Sequence, residues 1–180
     1  MTLKEWIAQA FGIIGLVLVV LSFQCKKNKF FFLMQGLGSL AFGINFIMIQ
    51  AFAGGFFSLV NFVRGVLFSK NGKKVWKLAL VAALYTFCYI FSLFLLDGNW
   101  IEIVIATIPY AALVAMSVFM WFGNGKHIRY SQLFFMSPAW MIYDIFYFSL
   151  GAILCESFTI ISTIVSFVRY GKDGFERSES

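Results

Sequence analysis

Apolar runs alternate with short polar breaks along the whole chain. They fall at about 5–23, 30–49, 52–69, 75–96, 100–122, 132–150 and 154–170. A helical rise of about 1.5 Å per residue lets runs of this length cross roughly 30 Å of hydrocarbon. The pattern predicts seven transmembrane helices and an all-α integral membrane protein. The second and third runs are separated only by Gln50-Ala51-Phe52-Ala53-Gly54-Gly55, where the glycines mark a tight turn. Merging them would produce a span of roughly 40 residues, about twice what a bilayer accommodates.

The breaks carry the charge, and the charge sets the orientation. Lys26, Lys27 and Lys29 follow the first run; Lys70, Lys73, Lys74 and Lys77 the third; Lys126 and Arg129 the fifth; Arg169, Lys172 and Arg177 the seventh. The other breaks carry Gln50, then Asp97 and Glu102, then Glu156. Twelve basic residues thus lie on one side and only Lys4 on the other, with Arg64 inside a span. Basic loops stay cytoplasmic, so the N-terminus is placed outside and the C-terminus in the cytoplasm.

An internal echo organises the spans. Ser58-Leu59-Val60-Asn61-Phe62-Val63-Arg64 ends the third run, and Ile164-Val165-Ser166-Phe167-Val168-Arg169 ends the seventh. The two arginines are 105 residues apart, and the second spans of each half align at about 102, Gln35 near Ser137. Both halves read as span, basic loop, span, neutral or acidic turn, span. The expectation is a 3+1+3 parallel repeat: residues 1–74 as the first three-helix repeat, 75–97 as a linker helix, 98–172 as the second repeat, and 173–180 as a polar cytoplasmic tail.

Composition narrows the classes. The chain is 61% hydrophobic and 12% charged, far from the balance a water-facing surface needs. The net charge of +6 sits in loops, so no nucleic-acid partner is expected. Cys25, Cys88 and Cys155 are scattered and His127 is the single histidine, which supports neither a disulfide framework nor a metal site. No HExxH, GxSxG or Gly-rich phosphate loop occurs, so no enzyme and no cofactor is expected. Residues 1–23 lack a small-residue cleavage site after the apolar run and read as a retained helix.

Polar side chains at membrane depth are costly and mark bundle interiors or pathways. The candidates for a substrate pathway are Asn45, Asn61, Trp140, Asp144 and Ser166; Arg64 and Arg169 are inner-face charges. Arg64 is six residues from Lys70, about 9 Å of rise, within reach of the interface for a snorkelling arginine. Asp144 lies about 13 residues into the sixth span from its cytoplasmic end, roughly 20 Å deep. Its functional reading is a proton-coupling or cation site; its structural one is a partner for another polar group in the bundle. Glu102 and Glu156 read as solvated residues at the outer boundary.

The chain resembles the bacterial inner-membrane YgjV family in Trp6-Ile7-Ala8-Gln9-Ala10-Phe11-Gly12, Asn61-Phe62-Val63-Arg64, Ser137-Pro138-Ala139-Trp140 and Ser149-Leu150-Gly151. The 3+1+3 arrangement is similar to the SWEET and PQ-loop seven-helix group. It departs from that group in reading Phe23-Gln24 and Trp121-Phe122 where Pro-Gln is usual. Its only prolines, Pro109 and Pro138, are both in the second half. The resemblance implies a multi-pass protein of the bacterial inner membrane, and a pathway in which the third helix of each repeat presents Asn61 and Ser166 to solute. A small-solute transporter or facilitator is expected, with lipids, a small polar solute and a further copy of the chain as partners. The alternative is a non-transporting membrane receptor or scaffold of the same fold.

Reporter fusions check the orientation. Green fluorescent protein joined after Lys172 is expected to fluoresce, and alkaline phosphatase joined at Gly98 to be active; the reverse pattern would overturn the assignment.

Overall fold

The computed structural model describes residues 3–22, 28–69, 75–96, 98–122 and 130–170, without side chains at 28–32, 68, 69, 120, 122 and 166–170. Seven helices occur among the described residues: α1 (Leu3–Ser22), α2 (Asn28–Met48), α3 (Phe52–Ser69), α4 (Val75–Leu95), α5 (Trp100–Phe122), α6 (Ser137–Phe146) and α7 (Leu150–Tyr170). A π-helical turn, Gln132–Met136, leads directly into α6. Most of the basic loop residues, Cys25, His127 and the 173–180 tail lie outside the described residues.

Leu3–Ser22, Val75–Leu95 and Trp100–Phe119 are long and apolar enough to cross a membrane, and Leu33–Met48, Phe52–Leu67 and Leu150–Val165 are shorter apolar helical stretches. Burial is inverted relative to a water-soluble fold. Ile13, Val17, Phe87, Phe94, Ile142 and Ile161 face outward, while Gln9, Asn45, Ser58, Ser117, Ser137, Asp144 and Ser149 are buried. That is the arrangement lipid demands, because polar atoms find partners only inside the bundle.

The helices form a closed ring. Each packs on its neighbours in chain order, α7 returns to pack on α1, and α3 also touches α5. α1 buries a stripe of small and polar residues, Ala8, Gln9, Gly12, Gly15 and Ser22. Such stripes let helix backbones approach where burial of apolar surface offers no drive. At the α1–α7 crossing, Gly12 meets Gly151 so closely that a Cβ on Gly151 would collide with the Gly12 backbone. α4 joins the ring through hydroxyl pairs. Tyr89 Oη lies 2.7 Å from Thr107 Oγ1 and Thr86 Oγ1 2.9 Å from Tyr110 Oη, both on α5.

α2 and α6 end alike. The Ala51 and Ser149 N–H groups donate to Phe46 O and Asp144 O, and the Gln50 and Phe148 N–H groups to Ile47 O and Ile145 O. Gln50 and Phe148 take the left-handed backbone, φ 65° and 54°, the position where a helix ending of this kind usually has glycine. The two turns are 98 residues apart. The second turn lies at 147–149, so α7 starts four residues earlier than the expected 154. Pro138 explains the π turn before α6. It has no N–H for the carbonyl four residues back, and the wider turn relieves its ring, with Ser137 N–H donating to Gln132 O instead.

Gly151→Ala is expected to destabilise the purified protein by about 1–3 kcal/mol, since backbone on both sides of the crossing must shift. Gly65→Ala, where an added Cβ meets nothing within 4 Å, is expected to be neutral or slightly stabilising. Thermal unfolding in detergent checks both, and equal melting temperatures for the two variants would refute the close crossing.

Candidate functional site

A cavity of about 130 Å³ lies between α2, α3, α6 and α7, with Val19 of α1 also in its wall. Ser39, Phe42 and Phe46 come from α2, Ser58 and Asn61 from α3. The π turn contributes Gln132 and Met136, α6 contributes Trp140 and Asp144, and α7 contributes Ala152, Cys155 and Glu156. Three of the expected pathway residues, Asn61, Trp140 and Asp144, are therefore brought together.

Asp144 is 1% exposed, one turn beyond Trp140 on the buried face of α6. Its Oδ1 is buried without a hydrogen-bond partner, and so is Oε2 of Glu156. The Ser137 hydroxyl bonds the Glu156 carboxylate, and Gln132 Nε2 donates to Ser137 Oγ at 3.1 Å. The π turn thus delivers a relay of two polar side chains to the acid on α7. Asn61 is partly occupied: its Oδ1 accepts from Tyr85 Oη at 2.7 Å. One turn further along α3, Arg64 reaches Ser117 Oγ of α5 at 3.4 Å and lies 6.0 Å from the Tyr85 ring. It braces α3, α4 and α5 and does not line the cavity.

Asn45 has another task. It is fully buried, donates to Ala8 O at 2.7 Å and accepts from Ser149 Oγ at 2.6 Å, and it does not line the cavity. The side chains of Ser166 and Arg169 lie outside the described residues. Glu156 corrects the expectation of a solvated outer residue. With α7 beginning at Leu150, it sits two turns inside that helix and faces the cavity. Its misplacement came from the turn: Phe148 adopts a conformation that sequence marks with glycine, so nothing flagged the break.

A second depression of about 490 Å³ is formed at the end of the bundle by the α2–α3, α4–α5 and α6–α7 turns, with Gln50, Asn99, Glu102 and Tyr147 in its wall. Glu102 accepts from Asn99 Nδ2 at 2.9 Å and from Tyr147 Oη at 3.3 Å. Burial and the neighbouring Glu102 carboxylate hold the Tyr147 phenol above its usual range, so it stays a donor. Between this vestibule and the cavity stands Tyr143, fully buried. Its ring centroid is 4.8 Å from Tyr147, 5.7 Å from Trp140 and 5.8 Å from Phe46. Its hydroxyl accepts the Gly54 N–H at 2.7 Å, which satisfies an otherwise unpaired donor in the first turn of α3.

The profile of the Imp-YgjV family, described as bacterial inner membrane protein, matches residues 6–173, and the chain belongs to that family. It is a protein of the bacterial inner membrane. No curated protein and no solved structure matches it significantly, including any of the SWEET or PQ-loop group.

Thiol labelling tests the separation of vestibule and cavity. With Cys25 and Cys88 replaced by serine and the protein purified in detergent, Asn99→Cys is expected to react quickly with a polar thiol reagent, and Cys155 alone to remain unmodified. Equal reaction of both would show that Tyr143 closes nothing.

Proposed function

We propose that the chain is a small-solute transporter or facilitator. Its polar pathway runs between two three-helix halves, residues 1–74 and 98–172, with the N-terminus outside. The cavity carries this proposal: it gathers Asn61, Trp140, Asp144 and Glu156 where the halves meet, and a dry packed bundle has no use for unpartnered carboxylate oxygens there.

The matched turns support the division into halves. At their 98-residue spacing, Phe42 pairs with Trp140, Phe46 with Asp144 and Ser58 with Glu156. All six line the cavity, so it straddles the relation between the halves. With the N-terminus outside, the vestibule opens to the outer face and the cavity extends inward toward Val19 and Asn61. Drug-sized ligands occupy roughly 300–1,000 Å³; about 130 Å³ suits a small polar solute or ion. Pro109, Pro138 and the π turn place the bendable helices in the second half.

The absence of proline from the first half favours the competing proposal, a receptor or scaffold that binds without moving solute. Reconstituted liposomes separate the two. After hyperosmotic challenge with a panel of glycerol, tetritols and hexoses, the protein is expected to speed re-swelling for at least one member. Asp144→Asn is expected to slow that flux at least about tenfold, the effect of losing 1.4 kcal/mol or more at a limiting step. Flux equal to that of empty liposomes throughout, with a stoichiometric partner co-purifying, would replace transport by the receptor.

A further inference from the structure

Asp144 and Glu156 line one cavity, and no basic side chain among the described residues lines it with them. The charged and titratable groups on each neighbouring element are otherwise engaged or absent. From α1 and α2 come Val19, Ser39, Phe42 and Phe46, none of which carries charge. On α3, Arg64 is turned to Ser117 and Tyr85. On α5, Glu102 belongs to the vestibule, bonded to Asn99 and Tyr147. On α6 itself the Tyr143 hydroxyl is taken by Gly54, and α7 adds Cys155 beside Glu156.

An ionised carboxylate shut away from water without a counter-charge is very costly, and two in one cavity also repel. Among the described residues none lining the cavity supplies a positive charge, so a cation from solution is the partner the pair calls for. Each acid presents one buried, unpartnered oxygen to receive it. A divalent ion is a poor fit, since calcium and magnesium need about six or more oxygen ligands. The described residues hold no group of three or more His, Cys, Asp or Glu suited to a metal ion. Neutral oxygens do adjoin the pair: the Asn61 amide and the Ser39 and Ser58 hydroxyls line the same space.

We infer that Asp144 and Glu156 form a binding site for a monovalent cation, a proton or sodium, in the heart of the bundle. Its coupling to solute movement rests on the transport proposal; the binding itself does not. The relay from Gln132 through Ser137 to Glu156 ties the site to the π turn. Tyr143, packed between Asp144's cavity and Tyr147 of the vestibule, is the gate on its outer side.

Infrared spectra of the protein in nanodiscs test binding without any solute. Above the ordinary carboxylate range, the wild type is expected to show a protonated-carboxyl band. Asp144→Asn and Glu156→Gln are each expected to diminish it, with melting curves confirming that both variants fold. A band untouched by sodium identifies a proton site; a band displaced by sodium but not by choline, with protons released to an indicator dye, identifies a sodium site. Absence of the band together with indifference to sodium overturns the inference. Solute flux in liposomes with neither the band nor a sodium response would sink the cation site and leave transport standing. The band without flux would sink transport and leave the site.

Discussion

The amide of Asn45 is the point on which the bundle closes. In one place it joins α1 through the Ala8 carbonyl, and the α6–α7 turn through the Ser149 hydroxyl. Gln9 completes the clasp, donating to Phe148 O at 2.9 Å and accepting from Leu150 N–H at 3.0 Å. The second of these bonds satisfies an orphan donor at the start of α7. Gly12 and Gly151 allow the backbone contact that brings these groups within reach. In lipid, helices gain little by hiding apolar surface from one another, so close packing and interhelical hydrogen bonds decide which helix lies beside which. A ring of seven helices needs a specific contact between its first and last members, and here that contact is polar.

Against this background the two acids stand apart. Elsewhere in the bundle, several polar side chains have partners on neighbouring helices: Tyr85 meets Asn61, Thr86 meets Tyr110, Tyr89 meets Thr107, Tyr143 meets Gly54. Among the described residues, the buried side-chain atoms without a hydrogen-bond partner are the Ser131 hydroxyl and one oxygen of each acid, and the two acids lie beside the cavity. Apolar side chains would fill the same space without the desolvation penalty. Packing alone does not account for the acids.

Much of the fold was legible in hydropathy, because a bilayer imposes span length directly on sequence. Asn61, Trp140 and Asp144 were legible as polar or large aromatic groups at depth, and they do converge. Asn45 looked the same in one dimension. Only the approach of Ala8 and Ser149 shows that its amide is consumed by the clasp, and such partners lie 37 and 104 residues away. Glu156 was hidden by a turn without glycine or proline. Phe148 holds φ 54°, a conformation that costs a bulky residue of order 1–3 kcal/mol, and the Gln9 bond to its carbonyl helps hold it there. The Phe-Val-Arg echo and the matched turns propose spacings seven residues apart, about two helical turns. The turns rest on two matched pairs of backbone hydrogen bonds and a shared left-handed residue; the echo rests on three letters.

The spacing of the turns bears on how the cavity works. Where the first half has Phe46 and Ser58, the second has Asp144 and Glu156, so both acids belong to one wall. Phe46 stacks on Trp140 at 5.7 Å, and that stack joins the two walls across the cavity. In the proposed division into halves, residues 98–172 supply both acids and residues 1–74 a largely apolar face with Asn61 and two hydroxyls. In the proposed site, a cation bound to such a wall makes most of its contacts with one half. The proposed movement of the other half relative to it is then unhindered, where a site split evenly between the halves would resist it. Neutralising the acids also lowers the penalty for dry contact across the cavity. In the proposed transporter, occupancy of the site and closure of the halves are therefore coupled by the same desolvation that makes the empty site costly.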